Sequence, residues 1–206
     1  MMKLLGRKNS INVQKAAWCL NELGMDYERI DVGGPFKFDN DPGYLDKNPN
    51  GLVPTLIDGD FVLWESHAIV RYLCEKSGDA TWYPADIKKR AVISQWMDWV
   101  PYSLRKAHFA VFFAMVRQAP EKRNAEAIEE GRREWAKYFT MADAELAKHD
   151  YIAGDEISMA DLVLGPFVYR WYALDIERPE QKNMQAYFER LKTRPAFKEH
   201  VMMPLS

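Results

Sequence analysis

The sequence is short of the features that tie a chain to a redox framework, a membrane, a metal or a polyanion. It has two cysteines, Cys19 and Cys74, far apart and each inside a helical apolar pattern, so both are expected to be reduced, buried and inert. It has no apolar run of the length a membrane helix needs and no signal-peptide pattern at its start, so a cytoplasmic protein with no membrane partner is expected. With 28 basic and 30 acidic residues the net charge is −2, which gives no electrostatic footprint for nucleic acid. The four histidines, His67, His108, His149 and His200, lack metal-ligand spacing, so no metal is expected, and none has a cysteine partner for nucleophilic catalysis. Repeats and low-complexity segments are also missing.

What is present is enough apolar material for a substantial core. The 206 residues, 48% apolar and 13% aromatic, fall between one large domain and two small ones. The first part reads as a βαβ unit followed by a hairpin and a helix. Lys3 to Leu5 is a short apolar start, and Val13, Ala16, Ala17 and Leu20 recur at helical spacing before Gly24. Tyr27 to Val32 alternates as a strand, and Phe36 to Lys47, with Asp39, Asn40, Asp41, Pro42 and Gly43, reads as a loop with one helical turn. Val53 to Ile57 and Phe61 to Trp64 flank the turn signal Asp58-Gly59-Asp60. Residues 80–86 read as a linker between a domain at 1–79 and a helical domain at 87–206. In the latter, a helix from about Lys88 to Phe113 is expected to kink near Pro101. Helices follow at about Ala125 to His149, Met159 to Trp171, Asn183 to Thr193 and Pro195 to Met202, with Ile128, Trp135, Phe139, Ala142 and Leu146 as one stripe.

The segment Asn48-Pro49-Asn50-Gly51-Leu52-Val53-Pro54-Thr55-Leu56, followed by Trp64-Glu65-Ser66, describes a backbone-reading site. A proline between strand-like runs cannot donate to a ladder and belongs at a bend, where a Val-Pro bond can be cis at little cost. Such a bend leaves the Val53 N–H and C=O to meet an extended ligand as a strand would. Glu65-Ser66 opens a helical run in which Ser66 and the helix end suit a carboxylate and Glu65 suits an ammonium. The implied ligand has an amino-acid head and an amide tail. These residues together resemble the glutathione site of the glutathione transferases, where a cis-proline loop docks the cysteinyl part and an acidic residue with a serine holds the γ-glutamyl end. The element order with a proline entering the third strand is similar to a thioredoxin-like domain, so the resemblance implies α/β plus all-α architecture. Ile157-Ser158-Met159-Ala160-Asp161 is similar to a second family signature, a Ser-x-x-Asp capping box, and is read as structural.

Gly6-Arg7-Lys8-Asn9-Ser10-Ile11-Asn12-Val13 occupies the turn into the first helix, where free N–H groups and the helix dipole favour an anion. The turn has no cysteine, so the chain's own sulfur is not the nucleophile there. Ser10 falls where theta-like transferases place a serine that donates to the glutathione sulfur, and Asn12 could donate instead, as an asparagine does in some disulfide-preferring bacterial relatives. One hydrogen bond to a charged group, about 1.5–3 kcal/mol, suffices to lower a thiol pKa by about one to two units. The alternative is that Ser10 is only the N-cap of the first helix, and the two roles are not exclusive. Asn50 and Leu52 could touch the ligand beside Val53 and Pro54, and Lys37 or Lys47 could face its glycyl carboxylate. Trp99, Tyr102, Leu104, His108, Phe109, Phe112 and Phe113 suit either an apolar electrophile site or plain core, and the resemblance suggests Asp98 for contact with glutathione across a homodimer. The resemblance implies a transferase with glutathione as co-substrate and an apolar electrophile as partner. Glutathione-dependent disulfide or peroxide reduction and a non-catalytic transferase-like module are the alternatives.

Overall fold

The computed structural model describes residues 1–37 and 41–206. Phe38, Asp39 and Asn40, part of the expected loop, lie outside the described residues. Contacts divide the chain into two compact units, Met1–Tyr83 with Pro195–Met203, and Pro84–Arg194 with Pro204–Ser206.

The first unit is a mixed sheet with helices. Strand β1 (Met2–Leu5) leads through a short turn to helix α1 (Ile11–Glu22), then to β2 (Tyr27–Ile30) and a single helical turn α2 (Pro42–Leu45). The hairpin β3 (Thr55–Asp58) and β4 (Phe61–Trp64) precedes α3 (Ser66–Ser77). The sheet order is β2-β1-β3-β4, with β1 parallel to β2 and antiparallel to β3. β3 starts two residues later than the apolar run at Val53, because Pro54 has no N–H to give a ladder. Leu4, Leu56, Ile69, Leu73 and Trp18 are fully buried and form the centre of this unit. The turn at Gly59 adopts φ +61 with open space around it, so the Asp58-Gly59-Asp60 signal makes the hairpin as read.

The second unit is helical: α4 (Ile87–Trp99), α5 (Arg105–Phe112), α6 (Ala125–Leu146), α7 (Met159–Ala173) and α8 (Lys182–Lys192). α4 passes into α5 through a π-helical turn at Val100–Leu104, where Pro101 interrupts the regular ladder. Trp135, Phe139, Ala142 and Leu146 are buried as one stripe of α6, while Ile128 is only partly covered. The last helix, α9 (Pro195–His200), belongs by its contacts to the first unit, where Phe197 meets Trp18 edge-on at 4.8 Å.

At the head of α7 the capping box forms. Asp161 does more than cap. Its Oδ2 accepts from the Ser158 N–H at 2.8 Å and the Ser158 hydroxyl at 3.0 Å, and its Oδ1 accepts from the Ile152 N–H at 3.1 Å and the Tyr187 hydroxyl at 2.8 Å. Burial raises its carboxyl pKa above the ordinary value, and these hydrogen bonds pull it back. Cys19 and Cys74 are both free and buried, with sulfurs 3.7 Å apart, and burial pushes the Cys19 thiol well up. Among the described residues no helix is long and apolar enough to cross a membrane.

Candidate active site

Sheet register brings three chain segments to one edge. Leu5 pairs with Thr55, and Thr55 pairs with Trp64. The turn leaving β1, the loop entering β3 and the step from β4 into α3 therefore emerge side by side, although they are far apart in sequence. Such an edge, beside the strand where the sheet reverses direction, is where open α/β sheets bind ligands.

The loop entering β3 has a cis Val53-Pro54 bond. Among the described residues, the Val53 N–H and C=O have no backbone partner. The carbonyl before them is held instead. Leu52 C=O accepts from the Tyr44 hydroxyl at 2.5 Å and Asn48 Nδ2 at 2.7 Å, and the same two side chains reach Thr55 Oγ1 at 2.9 and 3.2 Å. Tyr44, Asn48 and Thr55 are all buried, so this is a satisfied internal network that fixes the bend. Asn50 is exposed and serves the loop itself, its Nδ2 donating to Asn48 Oδ1 at 3.1 Å, while the Leu52 side chain stands in solvent. Sequence reading did not single out Tyr44 or Thr55; their signal is a polar residue on either side of the Asn-Pro-Asn-Gly turn, each at a position the core covers. Lys47 donates to Gly43 C=O at 2.6 Å, and Lys37 is exposed with φ 55.

Glu65 takes the N-cap position of α3 with φ 71 and ψ 115, and its side chain makes no capping bond. A non-glycine residue there is strained, and such strain collects at functional sites. Ser66, the first residue of the helix, is buried beside the exposed Glu65. The pair does not act as the ordinary cap that its sequence permits.

Ser10 holds the N-cap position of α1 in an extended conformation, yet its hydroxyl makes no capping bond either. Its backbone does the local work, with the N–H donating to Arg7 C=O and the C=O accepting from Gln14 N–H. The hydroxyl of a 9%-exposed serine is thus left for another acceptor at the positive end of a helix. Asn12 lies two residues on, in the first turn.

The aromatic candidates of the second unit separate into two groups. Leu104, His108 and Phe112 are buried: His108 stacks on Phe112 at 5.3 Å, meets Trp135 and Phe167 edge-on, and has its Nε2 3.2 Å from Arg170. The Arg170 guanidinium lies 3.9 Å from the Phe112 ring centre. These residues fill the helical core, the second of the two roles their sequence allowed, because the i, i+4 spacing of His108 and Phe112 turns both toward α6 and α7. Tyr102, Phe109 and Phe113 are exposed, the last two stacked at 5.3 Å; Trp99 is half-buried and Asp98 exposed.

Family models for the glutathione S-transferase N-terminal domain and C-terminal domain match residues 1–75 and 103–195. The chain is 39% identical to glutathione S-transferase GstB of Escherichia coli K12 over the whole of both chains. It is 33% identical to glutathione S-transferase 3 of Zea mays, covering 97% of this chain and 93% of that one. Among solved structures it is similar to the theta class glutathione S-transferase of Xanthomonas axonopodis pv. citri with glutathione bound. That match has 41% identity and a TM-score of 0.96, and covers 100% of this chain and 99% of the other. The two domain matches and these full-length likenesses show that the chain belongs to the glutathione S-transferase family.

Proposed function

We propose that the protein binds glutathione at the β1–β3–β4 edge, stabilises its thiolate at the head of α1, and presents it to an apolar electrophile. The observation that carries the reading is the Leu5–Thr55–Trp64 register, which brings to one edge the chain segments that lead to Ser10, Val53 and Glu65-Ser66. In this reading Val53 pairs its backbone with the cysteinyl part, and Ser66 with the α3 end takes the γ-glutamyl carboxylate. Glu65 takes the amino group, and Ser10 or Asn12 donates to the sulfur. The chemistry is proximity and electrostatic stabilisation of a thiolate, without a covalent enzyme intermediate. Tyr102, Phe109 and Phe113 are the exposed apolar groups of the helical unit offered for the electrophile. The working form is a cytoplasmic homodimer, as is typical of the family, with Asp98 offered for a contact across it.

Titration of the bound thiol tests this. Thiolate absorbs in the far ultraviolet where thiol does not, and in the wild-type complex it should form below the free-thiol pKa of about 8.5. In Ser10→Ala the midpoint should climb by about one to two units with glutathione affinity little changed. A rise in Asn12→Ala but not in Ser10→Ala would make the amide the principal donor. A wild-type midpoint at the free-thiol value would overturn the transferase mechanism.

A further inference from the structure

Lys15, in the middle of α1, is 2% exposed. Lysine is almost never so deep unless its ammonium is met by polar partners. Here Nζ lies 3.1 Å from Oδ1 of Asn12, one turn back on α1, and 2.9 Å from Nε2 of His67, the second residue of α3. An ammonium has donors and no acceptor, so it fixes the polarity of both partners. The atom of Asn12 that faces it must be the carbonyl oxygen, and the His67 nitrogen that faces it must accept, leaving the ring proton on Nδ1. Asn12 is therefore held with its NH2 group as the end turned away from the ammonium. That group stands two residues past Ser10, in the turn whose backbone N–H groups have no intrahelical acceptor.

The charge is also placed against local electrostatics. Lys15 bonds into the first turns of both α1 and α3, and the N-terminal ends of helices are positive. A cation at two positive ends weakens the fold and attracts an anion, the kind of local conflict that folds keep at functional sites.

We infer that Lys15 is a positioning residue for thiolate formation: by donating to Asn12 Oδ1 it fixes the Asn12 amide as a donor and adds positive potential at the head of α1. The inference rests on the reading of that head as the glutathione sulfur site. Two variants test it by different routes. Lys15→Met keeps length and removes the charge, freeing the amide to rotate. Asn12→Leu removes the NH2 group without adding a charge. Each should raise the thiolate midpoint of bound glutathione by about one unit, a roughly tenfold loss of thiolate at neutral pH. In both, kcat should fall more than KM for glutathione changes, and Lys15→Arg should return the midpoint toward the wild-type value. A folded Lys15→Met or Asn12→Leu protein with the wild-type midpoint overturns the inference. Should Lys15→Met fail to fold, Asn12→Leu and Lys15→Arg decide: a raised midpoint in the first with a near-wild-type midpoint in the second supports it, and any other pair of results overturns it. A wild-type midpoint equal to that of free glutathione is a different failure, because it removes the sulfur site itself.

Discussion

Asp161→Ala should be among the most destabilising single changes in the helical unit while leaving glutathione recognition intact. A capping carboxylate at a helix start ordinarily contributes about 0.5–2 kcal/mol. Asp161 is fully buried and accepts from four donors, the N–H groups of Ile152 and Ser158 and the hydroxyls of Ser158 and Tyr187. An orphaned buried donor costs about 1–3 kcal/mol, so even the lower figure at each site gives about 4 kcal/mol. For a chain of this size that is a fall in Tm on the order of 10 °C, read by calorimetry or circular dichroism. KM for glutathione, measured on the folded protein well below that Tm, should stay within about twofold of wild type, since Asp161 only shapes the fold. Asp161→Asn adds a sign. Burial raises the folded-state pKa of this carboxyl, so its contribution is full below the unfolded value of about 3.9 and is lost as pH rises through the raised value. Asparagine does not titrate, so the stability gap between wild type and Asp161→Asn should be widest in acid and narrow toward neutrality. A fall in Tm of less than about 3 °C in Asp161→Ala, or a gap that widens as pH rises, would refute the reasoning.

Ser66→Ala should weaken glutathione binding about tenfold or more by removing a charge-assisted contact, measured by calorimetric titration, and unchanged affinity would remove the γ-glutamyl assignment. Glu65→Gly should separate strain from function: relief of φ 71 should raise stability by about 1 kcal/mol while glutathione affinity falls. If thermal unfolding shows no gain, the backbone at Glu65 is not strained. Tyr44→Phe should cost only about 1 kcal/mol, because Asn48 still donates to both Leu52 C=O and Thr55 Oγ1, yet it should raise KM for glutathione by loosening the bend. A lower Tm with unchanged KM would mean that the ligand does not read this loop.

Local signals in the sequence carried most of the fold. Apolar spacing marked α1 and α6, Asp-Gly-Asp marked the β3–β4 turn, and Pro101 marked the break between α4 and α5. The candidate site was legible as separate pieces because each has its own local chemistry: a proline that cannot donate, a serine at a helix start, an acidic residue before another. That the pieces meet depends on strand register, which local chemistry does not state. Tyr44 and Thr55 were not singled out because their partners are set by the path of the chain around the bend. Lys15 went unread because a lysine in a helix is ordinarily solvated, and only the packing of α1 against α3 puts it out of water. His108 and Phe112 were ambiguous because spacing says that a face is shared but not whether it points inward.

The return of α9 to the first unit makes that unit discontinuous in time as well as in sequence. Phe197, which packs edge-on against Trp18, leaves the ribosome only after the whole of residues 84–194 has been made. Until then the indole of Trp18 lacks one of its walls, so the sheet and its helices must wait for the last segment to complete their core. A fragment ending at Tyr83 would carry Ser10, Val53, Glu65 and Ser66 in full and still lack the helix that seals α1. Possession of the residues of the proposed glutathione site and the ability to fold around them are therefore separable properties of this chain, and the second depends on residues that touch no ligand in that proposal.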